Sequence, residues 1–421
     1  MRNRIRVLLK SDAPLSISEG FKGGWTVSTK EYIPGAVVRG AIAGYLINSI
    51  GQEEMKRILL APGTAVLDFH PIDIDRINHK KKEKSLDARI TEIIETGRLP
   101  QTVISCKRRP GFSGETFSDG LKKHGLADSL ETLLLYLFNR DKRKKNAQID
   151  LRCETCQERQ EQFQGWYQLE ETENENGENY LFFRGVTPAT TSYIHIGIDT
   201  DRGTATQGIF YTIDALDEEQ YFLGAIMVDD NPDEWTSNLK HGEYLFLGGS
   251  KSRGYGASKI EVVQIESEKT TRNCNLLESP EIRCQKCTQR IRDKGGFVEE
   301  GSWLVPLTLL SPSILMDRFL RPVLDDITKD VRDHGLPTTG KPILVKAKSQ
   351  TIQGWHSAGN VPKPDFLAIA SGSVFVYQCP ASKETVQALN RIEDMGIGFR
   401  RAEGFGRVRV ASSLHAGILT R

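Results

Sequence analysis

The segment Leu247-Gly-Gly-Ser-Lys-Ser-Arg-Gly-Tyr-Gly256 returns 150 residues later as Ile397-Gly-Phe-Arg-Arg-Ala-Glu-Gly-Phe-Gly406. Gly248, Gly254 and Gly256 fall on Gly398, Gly404 and Gly406, and Tyr255 falls on Phe405. Both stretches carry basic residues between the glycines and run into an alternating, strand-like tail. Internal repetition constrains a fold more than composition does, because each copy must present the same turn to a core of its own. Two further pairs support the duplication. Ile5 to Pro14 and Trp303 to Pro312 each read as a strand ending in a proline turn. Gly208-Ile-Phe-Tyr-Thr-Ile and Gly372-Ser-Val-Phe-Val-Tyr each read as a β-branched and aromatic strand, and these two are expected to correspond.

Amphipathic helices fit between the strands. Ala36 to Ile50 puts Val38, Ile42, Tyr45 and Leu46 on one face, with Pro34-Gly35 where a helix would start. Lys383 to Met395 turns Val386, Leu389 and Ile392 inward and meets a stop at Gly396, and Leu126 to Phe138 is a third candidate. The reading is an α+β chain of two sandwiches, each a sheet with helices on one face. The halves are expected near 1–268 and 301–421, joined by 269–300, with large insertions at about 60–200 in the first.

The chain has 421 residues and a formal net charge of +1, so its overall balance points to no polyanion. Its basic residues are nonetheless grouped: Arg2/Arg4/Arg6, Lys80 to Lys82, Lys107 to Arg109, Lys142 to Lys145, and Arg400-Arg401. Segregated charge can give a neutral protein a basic face. No apolar run approaches the roughly 20 residues of a membrane span, and the N-terminus lacks the apolar stretch of a secretory signal, so a cytoplasmic protein is expected.

Seven cysteines without a signal argue against a disulfide framework. Cys153-Glu-Thr-Cys156 and Cys284-Gln-Lys-Cys287 together could supply the four thiolates of one structural zinc, clipping distant insertions together. Two independent or vacant pairs, and a redox pair, are the alternatives. The glycine-rich loops have the ingredients of a phosphate cradle: Gly248, Gly249, Ser250, Lys251, Arg253, Gly254, Tyr255 and Gly256 in one, and Arg400, Arg401, Gly404, Phe405, Gly406 and Arg407 in the other. Arginine and lysine would meet phosphate and the aromatic ring would stack on a base. Neither loop is a Walker or dinucleotide fingerprint.

The form G-x-x-x-x-x-G-[FY]-G before a final strand resembles the mark of the RAMP superfamily, the RNA-binding subunits of CRISPR systems. Ile33-Pro34-Gly35-Ala36-Val37-Val38-Arg39-Gly40-Ala41 resembles that superfamily's first-helix start. Ser105-Cys106-Lys107, His124 to Leu130, Cys153-x-x-Cys156 before Gly165-Trp166-Tyr167, and Arg401 to Arg407 together resemble the Csx-ten family, the large subunit of type III-D effectors.

The resemblance implies a tandem of ferredoxin-like (RRM-like) domains. It also implies a Cas-five-like role: holding the repeat-derived 5′ handle of the CRISPR RNA (crRNA) and capping the base of an antiviral effector. Its implied partners are crRNA, the polymerase-like large subunit and the backbone subunits, with target RNA met indirectly. The matching positions are Pro34, Gly35 and Arg39 together with the two loops, and Lys107 and Arg108 join them on basic chemistry. None of the eight histidines falls next to a serine, lysine or second histidine in a way that marks a general acid/base pair, and no loop aspartate among Asp68, Asp199 and Asp201 stands out. A non-catalytic RNA binder is expected. An endoribonuclease processing precursor RNA and a zinc-stabilised protein-binding scaffold are the alternatives.

Overall fold

The structure is a computed structural model that describes residues 2–19, 26–74, 85–117, 119–138, 151–173, 179–199, 201–202, 204–266, 278–338, 340–356, 359 and 361–415. The basic runs Lys80 to Lys82 and Lys142 to Lys145, together with Cys274 and most of the acidic stretch after Glu173, lie outside these residues. The chain is mixed α+β with several sheets. In the first half the main elements are β1 (Asn3–Ser11), α1 (Gly35–Ile50), β2 (Ala65–Val66), β3 (Tyr221–Val228), α2 (Pro232–Asn238) and β4 (Ala257–Glu266). Helix α3 (Pro280–Asp293) leads into the second half. There the elements are β5 (Ser302–Leu309), α4 (Thr328–Asp333), β6 (Leu344–Lys346), β7 (Val374–Pro380), α5 (Lys383–Met395) and β8 (Val408–Val410).

Across the first sheet the strands run β4-β1-β3-β2, with Tyr244–Phe246 added outside β4 and His70–Ile72 also pairing with β3, and across the second β8-β5-β7-β6, with every one of these pairings antiparallel. In each half, therefore, the first strand is central and the last pairs beside it. The partner of β7 in the first half is β3, not the Gly208 stretch. That stretch lies in Thr204–Leu216, which pairs with Thr190–Asp199 as a separate hairpin. The two stretches share β-branched and aromatic content, which marks strands but not their place in a sheet.

Strand β1 is buried on both faces. Ile5, Val7 and Leu9 face Val38, Ile42 and Leu46 of α1 and Trp235 of α2, while Leu8 faces Ile90 of the insertion helix Leu86–Glu92. Burying each such side chain contributes about 1.5–3 kcal/mol, so α1 is fixed by its expected stripe. In the second half Val305, Leu307 and Leu309 of β5 pack against Ala388, Leu389 and Ile392 of α5.

The insertions do more than decorate the first half. Leu126 to Phe138 is a strand, Leu126–Asp128, followed by a helix, Leu130–Phe138, whose Leu130 and Leu134 pack on Leu304, Val374 and Val376 of the second sheet. Gln101 N–H donates to Gly372 O at 2.7 Å, Glu95 pairs with Arg409 at 3.0 Å, and Asp128 meets His415 at 2.7 Å. Helix α3, expected as part of a connector, packs against β5 and α5, with Arg283 paired to Glu393 at 2.6 Å.

Candidate nucleic-acid interface

The two glycine loops follow one backbone path. Residues 248, 250, 254 and 256 have φ of 74°, 55°, 86° and 95°, and residues 398, 400, 404 and 406 have φ of 77°, 58°, 92° and 71°. A single 3₁₀ turn fills the middle of each, Lys251–Arg253 and Arg401–Glu403. Glycine supplies positive φ at no steric cost, which explains why it recurs at 248, 254 and 256 and at 398, 404 and 406, while Ser250 and Arg400 hold the left-handed conformation without it. The loops are also anchored alike. Gly256 N–H donates to Pro14 O at 3.0 Å and Gly406 N–H to Pro312 O at 2.8 Å, so each loop is tied to the proline turn that ends its half's first strand. Gly249 donates to Ser16 O at 2.9 Å where Phe399 donates to Ile314 O at 3.0 Å.

Their surroundings differ. In the first loop Lys251 to Gly254 are exposed. The Arg253 guanidinium lies 5.5 Å from the Tyr211 ring centre and donates to its hydroxyl. His195 stacks on Tyr211 at 5.2 Å. Tyr255, expected as a stacking surface, is only 6% exposed; it packs on Ile213 and Ala215, with its hydroxyl 3.1 Å from His195 Nε2. Its role in this structure is to peg the loop to the hairpin. Phe405 is likewise 8% exposed and packs on Ile314, Ile352 and Ala368.

The second loop is docked on the first half. A Cβ on Gly404 would lie 2.8 Å from Val66 O, and one on Gly35 would overlap that same carbonyl. Two glycines, one from each half, thus close on a single strand oxygen. Asp68 beside it accepts from Gly35 N–H at 2.8 Å, and burial pushes its carboxyl up to about 7 against that hydrogen bond. Arg400 is held by Glu403 at 2.6 Å over the Phe405 ring, and Lys363 reaches Glu403 at 3.0 Å. Arg407 donates to Asp394 O at 2.7 Å and Glu393 O at 2.9 Å near the C-terminal end of α5, and burial and then the charge of Arg4 hold it down to about 10. Of the second loop's basic residues, Arg401 is exposed.

At this junction Arg39, Arg400, Lys363 and His356 line a groove of about 580 Å³ with Phe366 and Pro364. Arg39 is steadied by Leu59 O at 3.1 Å. The structure therefore brings Arg39 and Arg400 together, with Pro34 and Gly35 at the start of the same helix. A second cavity, of about 390 Å³, is lined by Arg4, Arg6, Arg391, Arg407 and Arg409 with Asp68, Glu95, Glu393 and Asp394. Alternation along β1 put Arg4 and Arg6 on one face, and this was the signal available for them in the sequence.

Lys107 and Arg108 are exposed just beyond the strand Val103–Cys106, with Lys107 3.2 Å from Glu161. Beside them the structure corrects the expected four-cysteine clamp. Cys106, His124, Cys153 and Cys156 place one ligand atom each within 4.8 Å of one another, a group that could hold a metal and that does not include Cys284 or Cys287. On helix α3 a C-x-x-C pair falls on one face, and here that face is buried. Burial raises the Cys284 thiol well above its ordinary value and pushes Cys287 up to about 12. In the other pair burial is outweighed by N–H donors from Cys156 and Thr155 and by His124, which bring the Cys153 thiol down to about 7. His124, read as a turn residue, and Cys106 were both missed as members of this group; Cys106 ends the strand Val103–Cys106 and His124 lies two residues before the strand Leu126–Asp128, both far from the C-x-x-C in sequence.

The remaining chemistry-bearing groups have structural partners. His70 is buried against Thr96 O at 3.0 Å, and burial holds it down to about 4. His415 bridges Asp128 and Thr308 at 2.7 and 3.0 Å. Asp201 is exposed, and the side chain of Asp199 lies outside the described set. Among the described residues no helix is long and apolar enough to cross a membrane.

No protein-family model matches this chain, and no curated protein does. Among solved structures it is similar to a chain of the type III-B Cmr-beta complex bound to cognate target RNA and AMPPNP. There the identity is 15%, with 88% of this chain and 86% of that chain covered and a TM-score of 0.34. It is also similar to oligomeric Cmr4 from Pyrococcus furiosus, at 13% identity, with 64% and 100% covered and a TM-score of 0.26. Likenesses at this level do not fix function.

Proposed function

We propose that this chain is a non-catalytic RNA-binding subunit of a type III-D CRISPR effector, holding the repeat-derived 5′ handle of crRNA at the base of the assembly. The observation that carries the reading is the pair of equivalent glycine loops, each entering the last strand of its half, of which the first offers an exposed basic tip. Lys251 and Arg253 supply the phosphate contacts, and Tyr211 beneath Arg253 supplies a ring beside them. In this reading the Arg39–Arg400 groove and exposed Arg401 give further contacts, and Lys107 and Arg108 contact RNA from the insertion. Glycines 35 and 404 serve by letting the halves close.

Both halves are taken as ferredoxin-like domains, 1–268 and 301–421 with 269–300 between. The reading is supported by the strand order in which the last strand flanks the first and the third lies on its other side. The chain is cytoplasmic in this account, and its neighbours are the polymerase-like large subunit and the backbone subunits, with target RNA met through the guide. Labelled repeat RNA mixed with the protein and run on native and denaturing gels tests the reading. A shifted, intact band is expected; discrete shortened products without added metal would make the chain an endoribonuclease instead.

A further inference from the structure

The insertion carries a group of side chains that RNA binding does not use. Cys106 ends the strand Val103–Cys106, His124 precedes the strand Leu126–Asp128, and Cys153 and Cys156 form the turn before Gln160–Gln162. Val103–Cys106 lies between the other two strands and pairs with each, Ser105 opposite Leu126 and Cys106 opposite Gln160, which brings the ends together. The Sγ atoms of Cys106 and Cys156 are 3.5 Å apart, and Cys153 Sγ is 3.4 Å from His124 Nδ1. That spacing matches donors arranged around one small ion, since metal–sulfur and metal–nitrogen bonds of about 2.0–2.3 Å set ligand atoms less than 4 Å apart.

A second observation concerns the turn itself. Between Leu151 and Arg159 only Cys153 is buried, so no apolar core holds this segment. Yet its backbone is folded tightly: Gln157 has φ of 60°, Gln157 N–H donates to Cys153 O at 2.8 Å, and Cys153 N–H donates to Glu158 O at 2.8 Å. A short polar turn wrapped around a sulfur, and lacking a core, needs a staple.

We propose that Cys106, His124, Cys153 and Cys156 bind one Zn²⁺ as a closed Cys₃His site that pins the insertion sheet and the Lys107–Arg109 loop leading out of it. Four protein ligands leave no coordination position for substrate, so the ion is structural. Soft thiolates with one imidazole select zinc over magnesium or calcium. The site stands independently of the RNA reading.

The test is metal analysis of protein purified without chelator, with Cys106→Ser, Cys153→Ser, and the double variant Cys284→Ser/Cys287→Ser. One zinc per chain is expected in the wild type and the double variant, with loss in each of the two ligand variants. A wild type that holds no zinc and takes none up under reducing conditions overturns the proposal, as does zinc loss in the Cys284/Cys287 variant. Should a ligand variant fail to fold, His124→Cys keeps the assay decisive. Loaded with Co²⁺, it should keep tetrahedral absorption, with stronger thiolate charge-transfer bands and shifted ligand-field bands; a spectrum identical to wild type would remove His124 from the set. Chelation should speed tryptic cleavage at Lys107–Arg109 by tenfold or more, and no change there would refute the pinning.

Discussion

The docking of the second glycine loop can be measured by comparing Gly404→Ala with Gly254→Ala. The two positions are equivalent, with φ of 92° and 86°, so an added Cβ carries about the same left-handed penalty at each, roughly 1–2 kcal/mol. Around Gly254 nothing lies within 4 Å of that Cβ. Around Gly404 it would lie 2.8 Å from Val66 O and 3.3 Å from Asp68 N, both rigid backbone atoms of the first half. Relieving such an overlap means shifting the joint, at a cost of about 1–3 kcal/mol more. Gly254→Ala should therefore lose about 1–2 kcal/mol and Gly404→Ala about 2–5. Urea unfolding followed by far-ultraviolet circular dichroism gives both values. Equal losses would mean that the second loop is not pressed on the first half. Gly35→Ala isolates the steric part, because its φ is not positive and alanine favours a helix by about 1 kcal/mol. A stabilised Gly35→Ala protein would equally refute the joint.

Other consequences follow from the same geometry. Arg407→Met should cost about 2–4 kcal/mol in urea unfolding, because two charge-assisted bonds to the α5 carbonyls are lost. RNA affinity should stay within about twofold of wild type in a filter-binding assay, given the inward turn of this arginine. Asp68 titrates at about 7 in the folded chain against 3.8 as its ordinary value. The fold thus binds this proton more tightly than the unfolded chain, and its contribution falls as pH rises from about 4 to 7. Asp68→Asn keeps an acceptor for Gly35 N–H, so relative to wild type its Tm should be higher at pH 8 than at pH 5. A constant Tm difference between the two pH values would contradict the upward shift of the Asp68 carboxyl.

Local patterning carried much of the fold. The helix over Ala36 to Ile50 and the one over Lys383 to Met395 were legible because apolar residues recur at helical spacing; both form, with Val38, Ile42, Leu46, Leu389 and Ile392 buried as expected and Tyr45 and Val386 half-buried at the edges. The glycine loops were legible for the same kind of reason: positive φ at 248, 254 and 256 and their partners leaves a mark in residue type. What failed involved distance along the chain. The Gly208 and Gly372 stretches look alike as strands, yet nothing in either states which neighbour it pairs with. Cys284 and Cys287 read as ligands because a C-x-x-C does not reveal whether it lies on a helix facing a core or on a turn. Cys106 and His124 were illegible as members of the Cys/His group because strand pairing, rather than spacing, delivers them. Tyr255 and Phe405 carried the right residue type for stacking, but their rings are spent on holding the loops in place.

The account stands or falls on the exposed tip of the first loop. The most direct measurement is the affinity of labelled repeat RNA for the wild type and for Lys251→Ala/Arg253→Ala across a salt series, with each sample also run on a denaturing gel. The account predicts intact RNA, affinity that falls with salt, and a slope of log K against log salt smaller by about 1.4 in the variant, since each phosphate contact on a single strand contributes about 0.7. Unchanged affinity and slope in the variant, or RNA cut at defined positions by the wild type, would contradict it.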